Sequence, residues 1–452
     1  MSSWQVLNPA TEQVVATVPM AGLPETDAAV ARAAAAFEDW RRVSPADRGR
    51  LLRRFADVVD AHRDELAELE VRNSGHPVGN ARWEAGNVRD VLAYFSAAPE
   101  RLCGRQIPVA GGVDITFAEP LGVVGIIVPW NFPMPIASWG FAPALAAGNT
   151  VVLKPAEATP LTALRLAELA LEAGLPEHVF TVLPGPGPVV GTRFVTHPDV
   201  RKVCFTGSTR VGKAVMAGCA DQVKRVTLEL GGKSANIVFA DADLPAAAAA
   251  APMSFCDNTG QDCCARSRIL VQRSAYEPFL TALERELRSV TVGDPADPDT
   301  QVGPLISAAQ RDRVTGYVDA ATVAFRTEAP QGPGFWYPPT VLEGRSTQDP
   351  AWREEIFGPV ASVLPFDDEA DAVALANDSA YGLSGSIWTS DVGRALRLSR
   401  AVRAGNLSVN SHSSVRYSTP FGGFGESGLG RELGPDALAS FTETKNVFLA
   451  DS

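Results

Sequence analysis

The chain has 452 residues, more than one hydrophobic core usually supports, so two or three domains are expected around an interior large enough for a dry site. Charged residues make up 20% and hydrophobic residues 46%, a balance that excludes disorder and fibrous repeats and leaves a soluble globular protein. The formal net charge of -12 and the lack of any basic run exclude nucleic acid as a partner, because phosphate binding draws on clustered Lys and Arg.

In chain order, alternation over residues 14–19 predicts a short strand, and residues 24–40 predict an alanine-rich helix with acidic residues in its first turn. Ser44, Pro45 and Asp47 form a helix start, with serine at the cap, proline at the first helical position and a carboxylate three residues on. That helix carries Leu51, Leu52, Phe55, Val58 and Val59 at helical spacing, a further helix ends near Gly75, and an amphipathic helix spans about residues 80–102. Ile107, Val109, Val113, Ile115 and Phe117 then alternate around Gly111 and Gly112, which predicts a hairpin whose exposed edge could pair. Residues 121–153 carry no charge and exceed the ~20 residues of a membrane span. Pro129, Pro133, Pro135 and Pro143 break that run, so it reads as buried strand, loop, helix and strand, with no membrane partner expected.

From residue 123 to 238, short apolar runs alternate with helical stretches, the pattern of a parallel sheet covered on both faces. Similar alternation follows Ser234. Asp243 and Pro245 open a helix that Pro252 is expected to kink or stop. Strands over 269–272 and 361–365 and helices over 276–288, 307–318 and 370–377 come next. A glycine-rich loop over 420–425 and an alternating tail over 441–449 close the chain.

Residues 255–268 hold three of the six cysteines, and Cys263 is the candidate nucleophile. A thiol attacks as thiolate, which cationic neighbours or N–H groups at a helix start favour. The plainer reading makes Cys256, Cys263 and Cys264 small buried hydrophobes. Without spaced cysteine pairs or a basic-then-apolar leader before Trp4, a reducing cytoplasm is expected and a disulfide framework is not. The five histidines are scattered without metal-ligand spacing, so no metal is expected.

Lys154 and Glu157 follow an apolar strand, at the carboxyl end where doubly wound sheets bind nucleotides. A carboxylate there accepts both ribose hydroxyls and repels a 2'-phosphate, favouring NAD over NADP; the competing reading is a surface ion pair. Gly207, Ser208 and Gly212 lie between strand and helix, where N–H groups hold a diphosphate. Their spacing is not the usual Gly-x-Gly-x-x-Gly. Glu229 precedes Leu230, Gly231 and Gly232, as a general base beside a ligand or a strand-end glutamate in a salt bridge would. Asn131 offers a structural turn or an oxyanion donor. Glu355 and Phe357 add a carboxylate and a ring near a loop.

Taken in order and approximate spacing, these segments and residues 420–434 resemble the aldehyde dehydrogenase superfamily over nearly the whole chain. The resemblance implies an α/β subunit in three parts: a Rossmann-like NAD-binding domain (1–101 and 119–230), an α/β catalytic domain (231–435), and an oligomerisation arm of hairpin and C-terminal strand (102–118 and 436–452). It implies a homodimer or homotetramer acting on a small aldehyde. Cys263 would attack the carbonyl, the Asn131 amide and the Cys263 N–H would hold the oxyanion, and hydride would pass to NAD. Glu229 would then activate water to hydrolyse the thioester to a carboxylic acid. By the same resemblance Lys154 and Glu157 contact the adenosine ribose, Ser208 and Trp130 lie near the diphosphate together with Gly207 and Gly212, and Leu230, Glu355 and Phe357 serve the nicotinamide end. Phe132, Trp139 and Phe421 would line the aldehyde tunnel.

Three residues depart from the family pattern. Gly425 stands where many members have lysine, Arg210 replaces a frequent acid, and Asp262 adjoins the nucleophile. If Asp262 faces the tunnel, it attracts an amino aldehyde and repels a carboxylate-bearing one, so an amino or aromatic aldehyde is expected. A CoA-acylating dehydrogenase is the alternative, although such an enzyme needs no base like Glu229. A non-enzymatic nucleotide-binding homologue is the third reading, and it would not need Cys263, Glu229 and Asn131 together.

Overall fold

The computed structural model describes residues 2–451. An antiparallel ribbon opens the chain, β1 (Ser2–Leu7) against β2 (Val14–Met20); the sequence reading found only the second strand. Four helices follow: α1 (Leu23–Trp40), α2 (Pro45–Ala61), α3 (Arg63–Ser74) and α4 (Val78–Ser96). Ser44 Oγ accepts the Asp47 N–H at 3.1 Å and caps α2. α3 stops where Gly75 turns left-handed at φ 79°. α4 ends six residues before the expected 102. Pro99 has no N–H to give the Phe95 carbonyl, which takes the Ala98 N–H in a tighter turn instead.

The hairpin β3 (Gln106–Val109) and β4 (Gly112–Pro120) leads into β5 (Val123–Ile127), α5 (Pro133–Ala146), β6 (Thr150–Lys154), α6 (Leu161–Glu172), β7 (Phe180–Val182), α7 (Thr192–Thr196), β8 (Val200–Thr206), α8 (Thr209–Ala220) and β9 (Arg225–Glu229). The uncharged run is thus strand, loop, helix and strand, and every residue of α5 is buried. Pro133 and Pro135 occupy its first turn, where missing N–H groups cost nothing, but Pro143 lies inside the helix instead of breaking it. Along β5, Val124 and Ile126 face the core built with α2, α4, α5 and α6. Val123 and Ile127 face the opposite core, with α1, α7 and α8. This alternation covers both faces of a parallel sheet.

The second sheet is built from β10 (Ala235–Val238), α9 (Leu244–Cys256), β11 (Arg268–Gln272), α10 (Tyr276–Arg288), α11 (Ala308–Asp319), β12 (Thr322–Arg326), β13 (Thr340–Glu343), α12 (Pro350–Arg353), β14 (Val360–Phe366), α13 (Glu369–Asn377), β15 (Ser384–Trp388), α14 (Val392–Ala401) and β16 (Asn406–Val409). Its order is β12-β13-β14-β11-β10-β15-β16, parallel except for β12 against β13. α9 runs through Pro252 to Cys256, contrary to expectation. Ala247, Ala248, Ala251 and Phe255 bury around the proline, and that packing outweighs one missing hydrogen bond.

β17 (Gly428–Leu429) returns to the first sheet antiparallel to β9, giving the order β17-β9-β8-β5-β6-β7. β18 (Thr442–Ala450) pairs with β4 from Thr442 against Pro120 to Ala450 against Gly112, completing a three-stranded sheet with β3. Among the described residues no helix is long and apolar enough to cross a membrane.

Candidate active site

The carboxyl ends of β5, β6, β8 and β9 deliver the loop to Asn131, Lys154, the Thr206 to Ser208 turn and Glu229, the end of a parallel sheet at which ligands bind. The cysteine loop between α9 and β11 comes up against them. Asn258, Thr259 and Gly260 take φ of 49°, 56° and 68°, three successive left-handed residues. Two of them are not glycine, so the turn stores strain that its surroundings must hold. Gly260 is required because a Cβ there would collide with the Gly358 carbonyl. The turn aims Asn258 Nδ2 at the Asn131 carbonyl (2.6 Å), while Asn131 Nδ2 donates to the Gln261 carbonyl (2.9 Å). Sequence reasoning missed Asn258 as the residue tying the two loops together.

Two cavities of about 230 Å³ each meet here, and Thr206, Glu229 and Cys263 border both. One is aromatic, with Trp83, Phe132, Trp139 and Phe421 in its wall. The other is more polar, with Trp130, Asn131, Gly207, Ser208, Leu230, Glu355 and Phe357. Larger hollows of about 540 and 800 Å³ lie elsewhere and contain none of these residues.

Glu229 is buried, and neither carboxylate oxygen has a hydrogen-bond partner. Burial pushes its pKa well above the usual carboxylate range, the nearby Glu432 adds to this, and Arg431 opposes it. It is not the salt-bridged strand-end glutamate of the competing reading. Glu432 is itself pushed to about 7 by burial, tempered by Lys202. Sequence reasoning missed Glu432, although it lies in the quoted 420–434 segment.

Cys263 is half-buried in a turn, not at a helix start. Its thiol is pushed well up by contact with Cys264, by burial, and by the charges of Cys264, Asp262 and Glu355. The expected cationic support is therefore missing. Arg266, the guanidinium of this loop, donates to the Cys264 and His412 carbonyls and to Ser414 Oγ. Asp262 borders the aromatic cavity, its Oδ1 accepts the Cys264 N–H at 2.9 Å, and burial pushes it to about 6.

Trp139 packs edge-on against Phe421 at 5.2 Å, and its Nε1 donates to Asn87 Oδ1 at 3.0 Å. Phe132 lies 5.7 Å from the buried His76 ring. On the polar side Trp130 meets Phe357 edge-on at 5.3 Å, and Glu355 Oε1 accepts the Gly232 N–H at 2.9 Å. Gly231 leaves room for that carboxylate, which burial pushes to about 7.

Lys154 is buried, so its 3.0 Å bridge to Glu157 is no surface pair; Glu157 also accepts the Gly187 N–H at 2.8 Å. Ser208 starts α8 without a side-chain cap, and no acid occupies the first turn. The start of α8 thus keeps uncapped N–H groups and its positive end free for a phosphate. Gly212 lies outside the cavity, where the absence of Cβ lets Leu230 pack against α8. A buried cation paired with a carboxylate, an uncapped helix start and a carboxylate beside paired glycines together fit a dinucleotide.

The sequence pattern of the Aldehyde dehydrogenase family matches residues 2–447. An aldehyde dehydrogenase of Emericella nidulans is 42% identical over 453 residues, covering 98% of this chain and 91% of that one. A phenylacetaldehyde dehydrogenase of Pseudomonas fluorescens is 42% identical over 462 residues, covering 98% and 92%. The NAD+ complex of a Bacillus cereus aldehyde dehydrogenase superposes with a TM-score of 0.97 at 40% identity, covering 100% of this chain and 94% of that one. With the matched pattern spanning nearly every residue and the fold shared from end to end, the chain belongs to the aldehyde dehydrogenase family.

Proposed function

We propose that this chain, an NAD-dependent aldehyde dehydrogenase, oxidises an amino or aromatic aldehyde to its carboxylic acid with Cys263 as nucleophile, by way of a thiohemiacetal and a thioester on that sulfur. The observation that carries this reading is the position of Cys263 and Glu229 on the wall shared by an aromatic cavity and a more polar one that begins at the uncapped start of α8. Asn131 Nδ2 uses one N–H on Gln261, and the Cys263 N–H has no protein acceptor among the described residues, so both can donate to a developing oxyanion. Glu229, held without a partner, takes the proton of the water that opens the thioester. Bound NAD supplies the hydride acceptor. Lys154 and Glu157 would hold its adenosine ribose, Gly207, Ser208 and Trp130 its diphosphate, and Leu230, Glu355 and Phe357 its nicotinamide end.

The walls formed by Trp83, Phe132, Trp139 and Phe421 suit an aromatic or apolar group and exclude water, while Asp262 adds one negative charge for an ammonium group. The phenylacetaldehyde dehydrogenase relative supports the aromatic half of this reading. Six free thiols support a reducing, cytoplasmic setting. The test is NADH formation, followed by absorbance without CoA, for wild type and Cys263→Ala on aliphatic, aromatic and amino aldehydes. Turnover that vanishes in the variant is expected. Turnover only when CoA is added would replace the hydrolytic reading by the acylating one, and silence with NAD still bound would leave a non-enzymatic homologue.

A further inference from the structure

Asp262, one of the departures from the family pattern, and the second thiol, Cys264, take no part in the bond-making steps above, yet both stand against the nucleophile. One carboxylate oxygen of Asp262 and the sulfurs of Cys263 and Cys264 all lie within 4.8 Å of one another. Two sulfurs and one carboxylate oxygen are the donor set of a thiophilic divalent ion. Metal–sulfur bonds of about 2.3 Å and metal–oxygen bonds of about 2.0–2.2 Å put tetrahedral ligands roughly 3.3–3.8 Å apart, so side-chain movements on the order of 1 Å close the cluster. The three residues border the aromatic cavity, which leaves a fourth coordination position for water.

Further oxygen donors stand close by. Asp257, Glu229 and Glu432 border the same cavity, and the Arg266 guanidinium there is held by the Cys264 and His412 carbonyls and Ser414 Oγ. His412 Nε2, a further donor without a partner, borders it as well. The sequence-based expectation of no metal rested on spaced Cys and His ligands and did not consider adjacent ones.

We propose that Asp262, Cys263 and Cys264 form an inhibitory site for a thiophilic divalent cation such as Zn2+ or Cd2+. Binding replaces two S–H bonds by two metal–sulfur bonds, releases both protons to solvent and changes no oxidation state, so a chelator reverses it. The bound ion occupies the sulfur that would attack the aldehyde, and substrate and metal exclude each other. The consequence for activity rests on the function proposed above, whereas the site itself does not.

Cd2+ is the probe, in a Cys103→Ser background because Cys103 is the exposed thiol. Cadmium per subunit, the ultraviolet cadmium–thiolate band and aldehyde turnover are followed in the wild-type site, in Cys264→Ser and in Asp262→Asn. One ion per subunit, a two-thiolate band and inhibition that is competitive with aldehyde and reversed by EDTA are expected. Cys264→Ser, compared with its own metal-free turnover, should need at least about tenfold more Cd2+ for the same fractional inhibition and show a one-thiolate band. Asp262→Asn should keep both thiolates and bind the ion more weakly in dialysis. Equal Cd2+ sensitivity with and without Cys264 would overturn the site and leave a lone thiol. A protein with no aldehyde turnover before metal is added would sink the proposed function, while stoichiometry and thiolate band would still decide the site.

Discussion

The environment of both Cys263 and Glu229 favours the protonated form, the thiol being pushed up by its contact with Cys264, burial and acidic neighbours, the carboxyl by burial and Glu432. A resting site of this kind does not react indiscriminately, and its nucleophile must be deprotonated during use. Alkylation of Cys263 by iodoacetamide, followed on its peptide by mass spectrometry without NAD, should therefore keep rising past pH 9. An ordinary thiol, with its pKa near 8.5, is approaching its plateau there. A plateau at pH 8 would contradict the geometry.

Asp262 gives a second pH dependence. Its carboxyl, pushed to about 6, is neutral below that pH and negative above it. The preference for 4-aminobutanal over benzaldehyde, as a ratio of kcat/KM, should fall roughly fivefold between pH 7.5 and 5, the worth of one screened charge pair of about 1 kcal/mol. In Asp262→Asn the ratio should stay flat and low. A ratio as steep in that variant as in wild type would assign the effect to another group.

At the scale of elements, the site depends on how closely two loops approach. Gly260, left-handed at φ 68°, lies against the Gly358 carbonyl, in the segment that carries Glu355 and Phe357. Gly260→Ala forces these loops apart, and displacement of a reacting group by about 1 Å costs about 100-fold in rate. A fall of that order in kcat is expected, with NAD affinity, measured by fluorescence quenching, changed far less. Loss of NAD binding alone would mean that the loop serves the cofactor and not the nucleophile. The sequence made the glycine visible but not the contact, which joins residues about a hundred positions apart.

The same distinction explains what else was legible. The strand–helix alternation over residues 123–238 and the cap at Ser44 are local patterns, and both formed as the sequence reading expected. Pro143 and Pro252 were read as breakers because a local rule could not weigh the burial around them. In the site, the run from Glu229 to Gly232 was visible as a pattern of neighbours in the sequence. Glu432 and Asn258 were not, because their significance lies in what faces them across the fold.

For the whole molecule, we propose that residues 102–118 and 436–452 form an arm that joins copies of the chain, with 1–101 and 119–230 as the NAD-binding domain and 231–435 as the catalytic domain. β18 covers one edge of β4 and β3 the other, which leaves the outer edge of β3 unpaired within the subunit. Ile107 and Val109 on that strand are 41% and 38% exposed, and Phe117, Phe448 and Leu449 about half exposed. An unpaired, apolar edge of this kind is a template for another strand unless charges protect it. Light scattering on the purified wild type should therefore give a homodimer or homotetramer. Ile107→Lys with Val109→Lys places two charges on the edge and should shift the mass towards the monomer.

The arm is also tied to the chemistry. β18 starts immediately after Phe441, whose ring lies 4.9 Å from Lys202 Nζ, and the Lys202 charge opposes the upward push on Glu432, the neighbour of the proposed base. Monomers of the double variant should consequently lose kcat while NADH-forming chemistry remains detectable. A wild type already monomeric at micromolar concentration would rule out the arm as a joining element, and a dissociated variant with unchanged kcat would separate assembly from the base.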